Sequence, residues 1–403
     1  MIPELRAAYN KNFTAEKYDT LLDLLNKESD TGKVGFRIAE TPVFIPHALH
    51  QKLMEACEEI IDFIVRPNIK AITQGAMDPP QINVPGEDDH TTFMQLDFGI
   101  TKDEKGVLMP RLIEIQGFPT LYFFQSHLYS QFRHIFDIPD QYTSFLNGYN
   151  QDSYCDMLHQ IIVGNTPPQN VILLEIEPEK QPTNIDFYAT ANALGIKVIC
   201  LTKLIKKGRE LFYLDKDGCE VKIVKIYNRV IFDELNNRPD IQSQFHFTDE
   251  IDAEWIGHPC WFSRISKYIL PFIKSHYNPE CHFLNELESY PADLENYVLK
   301  PIFSFAGAGV NLHINADILD QIKDRKNYIL QRKVKYEPVI ITPDGAATCE
   351  IRMLTIWPKN KPRPIVVNNL IRLSKGEMIG VKFNKDKTWV GGTVGFFEPN
   401  PKS

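Results

Sequence analysis

Strands that alternate with helices, in a chain of ordinary globular composition, predict a mixed α/β (α+β) fold. Three stretches carry that prediction. Val171-Ile172-Leu173-Leu174-Glu175 is a short continuous apolar run, as expected of a strand buried on both faces. Thr183 to Leu194 has helical character and stops at Gly195, a residue suited to a left-handed helix end, before a second strand from Ile196 to Leu201. Asp215-Lys216-Asp217-Gly218 separates two alternating runs, 211–214 and 221–224, the pattern of a hairpin. Strand, helix, strand in that order describes a small Rossmann-like layer.

The elements before this layer follow from periodicity. Residues 14–30 place Tyr18, Leu21, Leu22 and Leu25 on one helical face. Phe44-Ile45-Pro46 leads into a second helix, 48–65, striped by Leu53, Met54, Cys57, Ile60, Ile61 and Ile64. Two strands near 91–116 flank the turn Lys102-Asp103-Glu104-Lys105-Gly106, a second hairpin. An aromatic-rich helix runs from Tyr122 to about Phe136. A composition break at Asn165-Thr166-Pro167-Pro168-Gln169 sets the domain reading: 1–164, 165–260 for the Rossmann-like region, and 261–403 for a last part expected to alternate strands and helices.

Composition narrows the partners. The 403 residues carry a net charge of −8 with no long basic run, so neither nucleic acid nor an anionic membrane is the expected partner. No apolar run reaches the length of a membrane span and the N-terminus lacks a charged-then-apolar leader, so the expected location is cytoplasmic. The seven cysteines form no Cys-x-x-Cys pair, which fits reduced thiols. His47, His50, His90, His127 and His258 show no mutual metal spacing.

The chemistry concentrates in short strands. Glu114 and Gln116 lie two apart and therefore on one strand face, beside apolar Leu112, Ile113 and Ile115. A carboxylate and an amide oxygen in such surroundings are costly without a partner, and Mg²⁺ bridging to phosphate is an economical one. Asp97 on the neighbouring strand would add a second carboxylate. The alternative is an edge strand whose polar residues contact water. Tyr297-Val298-Leu299-Lys300 runs into Pro301-Ile302-Phe303-Ser304-Phe305-Ala306-Gly307-Ala308-Gly309-Val310. Its glycines and Ser304 could let backbone N–H groups approach phosphate, or form a mobile hairpin tip; it is neither a Walker loop nor Gly-x-Gly-x-x-Gly. Gln331, in Tyr328–Val334, could border an adenine. Glu350 and Arg352 share a strand face and could equally be a solvated pair. Arg372 ends a further strand.

Taken in order, Lys300, Gln331 and Glu350-Ile351-Arg352 resemble the ATP-grasp ligases. The metal-type strand Glu114-Ile115-Gln116 lies upstream of them, the order of the circularly permuted branch that includes the glutathionylspermidine synthase synthetase domain. Leu96-Asp97-Phe98 resembles that family's Phe-Asp-Phe strand, and Glu114 to Thr120 its Glu-x-Asn-Ala-Asp-Thr-Pro-Thr segment. Ser266-Lys267-Tyr268-Ile269-Leu270-Pro271, after Trp261, resembles Ser-Asn-Lys-Ala-x-Leu-Pro. Lys300-Pro301 with Gly307 and Gly309 resembles the phosphate loop. The chain departs at Gln116 for asparagine, at Gln95 for a frequent arginine and at Phe305-Ala306 for Arg-Glu, and no amidase domain is expected within these residues.

The resemblance implies an ATP- and Mg²⁺-dependent ligase that joins a small-molecule or peptide-like carboxylate to an amine through an acyl-phosphate. It implies metal ligands Asp97, Glu114 and Gln116. ATP would be held by Lys267, Lys300, Ser304, Gly307, Gly309 and Gln331, with Glu350 and Arg352 as catalytic residues. A non-catalytic nucleotide-binding protein and a small-molecule kinase are the alternatives. The sequence names neither acid nor amine, nor the oligomeric state.

Overall fold

The computed structural model describes residues 1–27, 33–78, 83–304, 307–380 and 383–400. Phe305 and Ala306 of the glycine-rich loop, and the last residues of the helix expected to reach 30, lie outside the described residues.

The largest sheet gathers strands from opposite ends of the chain. Its order is Gly391–Thr393, Ile365–Ser374, Gly345–Ile356, Phe93–Lys102, Leu108–Gln116, all antiparallel. The expected hairpin at 102–106 is present, with Gly106 at φ 77° in its turn. Phe93–Lys102 lies between Gly345–Ile356 and the edge strand Leu108–Gln116, and strand alternation gives it two different faces. Met94, Leu96, Phe98 and Ile100 pack into the core shared with Leu49, Leu53, Cys57, Ile60 and Ile64 of the His47–Ile64 helix. Each such apolar side chain contributes about 1.5–3 kcal/mol when fully buried. Gln95, Asp97 and Gly99 point the other way.

A register shift at Asp97/Phe98 sets the second strand of the hairpin. Phe98 pairs with Leu112 and Asp97 with Glu114, so Ile113 is the extra residue. Leu112 and Ile115, three apart, both reach the core, while Glu114 and Gln116 both join the polar face. A bulge of this kind re-aims side chains, and periodicity alone does not reveal it.

The middle of the chain forms a four-stranded parallel sheet. Its order is Glu254–Ile256, Lys225–Asn228, Val171–Glu175, Lys197–Cys200, with the Asn184–Leu194 helix as crossover. The 215–218 hairpin joins Glu210–Leu214 to Glu220–Ile223 as predicted. The last part differs from expectation. Among the described residues beyond 265 the only α-helix is Ala316–Asp320; the other regular elements there are strands and 3₁₀ turns. A three-stranded sheet there has the order Cys281–Phe283, Tyr328–Arg332, Tyr297–Pro301. Val43–Ile45 pairs in parallel with Gly395–Phe397, tying the two ends together. No helix of the described residues is long and apolar enough to cross a membrane.

Candidate functional site

The polar face of the large sheet carries most of the residues singled out in the sequence. Three rows cross it. Gln116 opposes Gln95; Glu114 opposes Asp97, which opposes Arg352; and Gly99 opposes Glu350, which opposes Arg372. The structure thus unites residues more than 200 positions apart. It pairs them unevenly.

One half of the face is closed on itself. The Arg352 guanidinium donates from Nε to Asp97 Oδ1 at 2.6 Å and from Nη2 to Oδ2 at 2.7 Å. Arg372 Nη2 donates to Asp97 Oδ2 at 2.9 Å and also to Glu350 Oε1. Tyr336 Oη donates to Glu350 Oε2 at 2.9 Å. That phenol reaches the sheet because residue 99 is glycine: a Cβ there would lie 2.8 Å from the Tyr336 ring. Asp97 has no exposed surface. Burial raises its carboxyl against the pull of Arg352 and Arg372. Both Asp97 oxygens are committed to arginine, so Asp97 is not aimed at open space as a metal ligand. Arg352 likewise spends its bidentate fork on Asp97. Arg372 keeps a buried Nε without a partner.

The other half is open. Glu114 accepts from Lys267 Nζ at 3.2 Å through Oε1; Oε2 accepts nothing among the described residues. Burial raises the Glu114 carboxyl, but Lys267, Lys300, Arg352 and Arg372 outweigh it and hold the group below its ordinary value. Gln116 Oε1 is buried with no partner. Among the described residues no three His, Cys, Asp or Glu side chains converge on a metal position. Glu114 with the orphaned Gln116 oxygen still fits Mg²⁺, which commonly takes one or two protein oxygens and completes its shell from phosphate and water.

Two lysines border this half. Lys300 Nζ donates to Gln331 Oε1 at 2.6 Å and to the bulged Ile113 carbonyl at 3.0 Å. The Gln331 side chain therefore positions Lys300, and its Nε2 reaches Leu112 O at 3.4 Å. Burial lowers the Lys300 ammonium, with Glu114 opposing and Lys267 adding to the shift. Lys267 is held by the turn after Gln116. Gly117 N donates to Ile265 O at 2.7 Å, and a Cβ at 117 would lie 2.5 Å from Trp261 O. Lys267 Nζ also donates to Ser304 O at 2.7 Å, which fastens the start of the glycine-rich loop. Gly307 and Gly309 are exposed, at φ 75° and 73°. The cleft between Glu114, Gln116, Phe262, Lys267, Phe303 and Ser304 holds about 20 Å³, room for one water.

The chain's four cations here (Lys267, Lys300, Arg352, Arg372) exceed its three anions (Asp97, Glu114, Glu350). An excess positive charge beside an open carboxylate suits a polyanion that arrives with its own divalent ion.

Sequence reasoning missed a second polar cluster, at the carboxyl ends of the parallel strands. Arg229 follows the Lys225–Asn228 strand, is 3% exposed, and leaves Nε and Nη1 without partners. Its guanidinium carbon lies 4.8 Å from the Phe118 ring centre and 5.1 Å from that of Phe187. Phe118 meets Phe262 of the cleft edge to face at 5.7 Å. Burial pushes Glu175 up to about 8 despite Arg229, and pushes Asp233 up to about 6 despite Lys267. Asp233 Oδ2, Gln95 Oε1 and Thr120 Oγ1 are also buried without partners. The available signal was position: in parallel sheets ligands gather outside the carboxyl ends of the strands.

The fold has a solved counterpart. A structure described as a glutathione synthetase-like effector from Globodera pallida, in its apo form, matches over 96% of both chains with a TM-score of 0.56 and 13% identity. A putative gamma-glutamylcysteine synthetase from Methylobacillus flagellatus covers 83% of this chain and 84% of its own, at TM-score 0.38 and 12% identity. No family model and no curated protein matches the chain. At these identities the first match establishes a mixed α/β fold similar to that of a glutathione synthetase-like protein.

Proposed function

We propose that this chain is an ATP- and Mg²⁺-dependent carboxylate–amine ligase with a circularly permuted ATP-grasp core and a Rossmann-like substrate layer. The observation that carries the reading is the open half of the sheet face: Glu114 and the unpartnered Gln116 oxygen, flanked by Lys267 and Lys300, beneath a loop with two glycines at positive φ. The pairing of the 93–116 hairpin with Gly345–Ile356 supports the permuted order, because it makes one sheet from the two ends of the chain.

Glu114 and Gln116 would hold the metal, which when bound neutralises charge on the β- and γ-phosphates. Lys267 and Lys300 would contact phosphate oxygens. Gln331 would fix Lys300, and its strand would border the adenine. Ser304, Gly307 and Gly309 would cover the phosphates and keep water from the activated acid. The present cleft is too small for a nucleotide, so the Lys267–Ser304 contact has to open first. Arg229, with unspent donors between two phenyl rings, would anchor a carboxylate of the acid substrate. A carboxylate oxygen of that acid attacks the γ-phosphorus and ADP departs. Arg372 faces the resulting acyl-phosphate with its free Nε. Gln95 and Thr120 offer acceptors to the amine, whose nitrogen attacks the acyl carbon, loses a proton and displaces phosphate. Arg352, Asp97 and Glu350 position Arg372.

Calorimetry of the purified chain with ATP, with and without Mg²⁺, tests the first step. Metal-dependent binding followed by ADP release that needs both an acid and an amine is the expected result. ATP binding without such release would favour the second reading, a nucleotide-binding protein without turnover, which the small cleft and the committed Asp97 support.

A further inference from the structure

A second cavity lies away from this site, between the first helix and the end of the Tyr122–Ile135 helix. It encloses about 140 Å³. Leu5, Tyr9, Phe44 and Phe136 line it, and Lys17 and Asp137 stand at its edge. The walls are fixed. Tyr9 Oη donates to Glu40 O at 2.9 Å, and the Tyr9 and Phe136 rings pack at 4.9 Å. Phe44 lies on the Val43–Ile45 strand, under the Arg6 guanidinium at 5.2 Å. Arg6 itself is spent on Thr41 Oγ1 and the Pro42 carbonyl at 2.6 Å and does not line the cavity.

The edge differs from the walls. Lys17 Nζ lies 5.9 Å from the Phe136 ring centre and bonds one backbone carbonyl, Asn12 O, at 3.2 Å. Among the described residues it has no carboxylate partner, and Asp137 has no cationic one. Lys17 and the exposed Asp137 place opposite charges at one mouth, where a group carrying both signs could meet both.

We propose that this cavity binds a free amino acid with an apolar side chain, outside the ligase site. A space of this size accepts a ring or a branched alkyl group; a dry apolar cavity of about 150 Å³ binds benzene. The side chain enters between Tyr9, Phe44 and Phe136. The α-carboxylate meets Lys17 and the α-ammonium meets Asp137. Aromatic walls favour phenylalanine through ring–ring contacts, about 0.5–1.5 kcal/mol beyond burial.

Titration calorimetry on the full chain, with L-phenylalanine and L-leucine as probes, tests this. Saturable binding of either is expected, and glycine should not bind. Phenethylamine and 3-phenylpropionate, each lacking one charge, should bind at least about tenfold more weakly than phenylalanine, as should phenylalanine to Lys17→Ala; tenfold is about 1.4 kcal/mol. Ala8→Trp, an exposed helix position at the cavity, fills the space and should abolish binding without lowering the melting temperature. Equal affinity for toluene and phenylalanine would overturn the zwitterion assignment. Undiminished binding to Ala8→Trp would place the amino acid elsewhere. A dimer in the wild type that Ala8→Trp dissociates would make the occupant a side chain of a second copy. The result is independent of Mg·ATP binding, so it stands or falls apart from the ligase reading.

Discussion

The two halves of the large sheet's polar face hold similar residues and do opposite things. Asp97, Glu350 and Arg352 find their partners within the set, with Tyr336 to complete it, and Arg372 spends its Nη2 there while its buried Nε stays free. On the adjacent strand, Glu114 and Gln116 keep unspent oxygens. The contrast teaches that a charged residue on a site face is informative only when its partners are known. Buried pairs that close on themselves fix geometry, whereas buried atoms without partners point to what is missing.

Substitutions at the two halves should therefore fail differently. Arg352→Ala leaves Asp97 fully buried with a single remaining arginine. Loss of one partner of such a pair costs about 3–5 kcal/mol, so the urea midpoint should drop sharply. Glu114→Ala, at a half-buried carboxylate with one long ion pair, should lower that midpoint less. It should instead cut Mg·ATP turnover by at least about 100-fold, since metal positioning supplies several kcal/mol of transition-state stabilisation. If Arg352→Ala unfolds no more easily than Glu114→Ala, the division of the face is wrong. Full turnover by Glu114→Ala would remove the metal assignment.

Lys300→Ala probes the border between the halves. The lysine joins Gln331 to the bulged strand and faces Glu114. A charged hydrogen bond is worth about 1.5–3 kcal/mol, so ATP affinity should fall by about 10- to 100-fold in calorimetry of protein shown to be folded by circular dichroism. Unchanged affinity would assign Lys300 to the scaffold.

Much of this architecture was legible. Val171–Glu175, the 102–106 and 215–218 turns and the helical stripe at Leu53, Cys57, Ile60 and Ile64 announce themselves because period and turn chemistry are local properties. The pairing of Arg352 with Asp97 was not, since it joins residues 255 positions apart. The bulge at Ile113 was hidden because an extra residue leaves the composition of a strand unchanged. Arg229 passed unnoticed for a related reason: an arginine after an apolar strand reads as a solvated end, and only the tertiary fold lays it between Phe118 and Phe187. The helices expected beyond 265 shrank to turns where short strands packed on one another.

The parallel layer gives the smallest and most specific test, because its acid resembles neither half of the sheet face. Glu175 is buried with Arg229 as an incomplete counterweight, and its carboxyl is pushed up to about 8 from an ordinary 4.5. Below both values the folded and unfolded chains hold the same proton. Between them the unfolded chain has released it and the folded chain keeps it, so stability falls as pH rises from about 4.5 to about 8 and levels off above. The slope from this one group is at most about 1.4 kcal/mol per pH unit. Glu175→Gln, neutral at every pH and similar in shape, should flatten that part of the urea-midpoint profile while leaving its acid end unchanged. An unaltered slope would mean that Arg229 and Glu175 form a true ion pair. The unspent Arg229 nitrogens would then no longer imply a carboxylate ligand, and the closed half of the sheet would be the better model for this cluster.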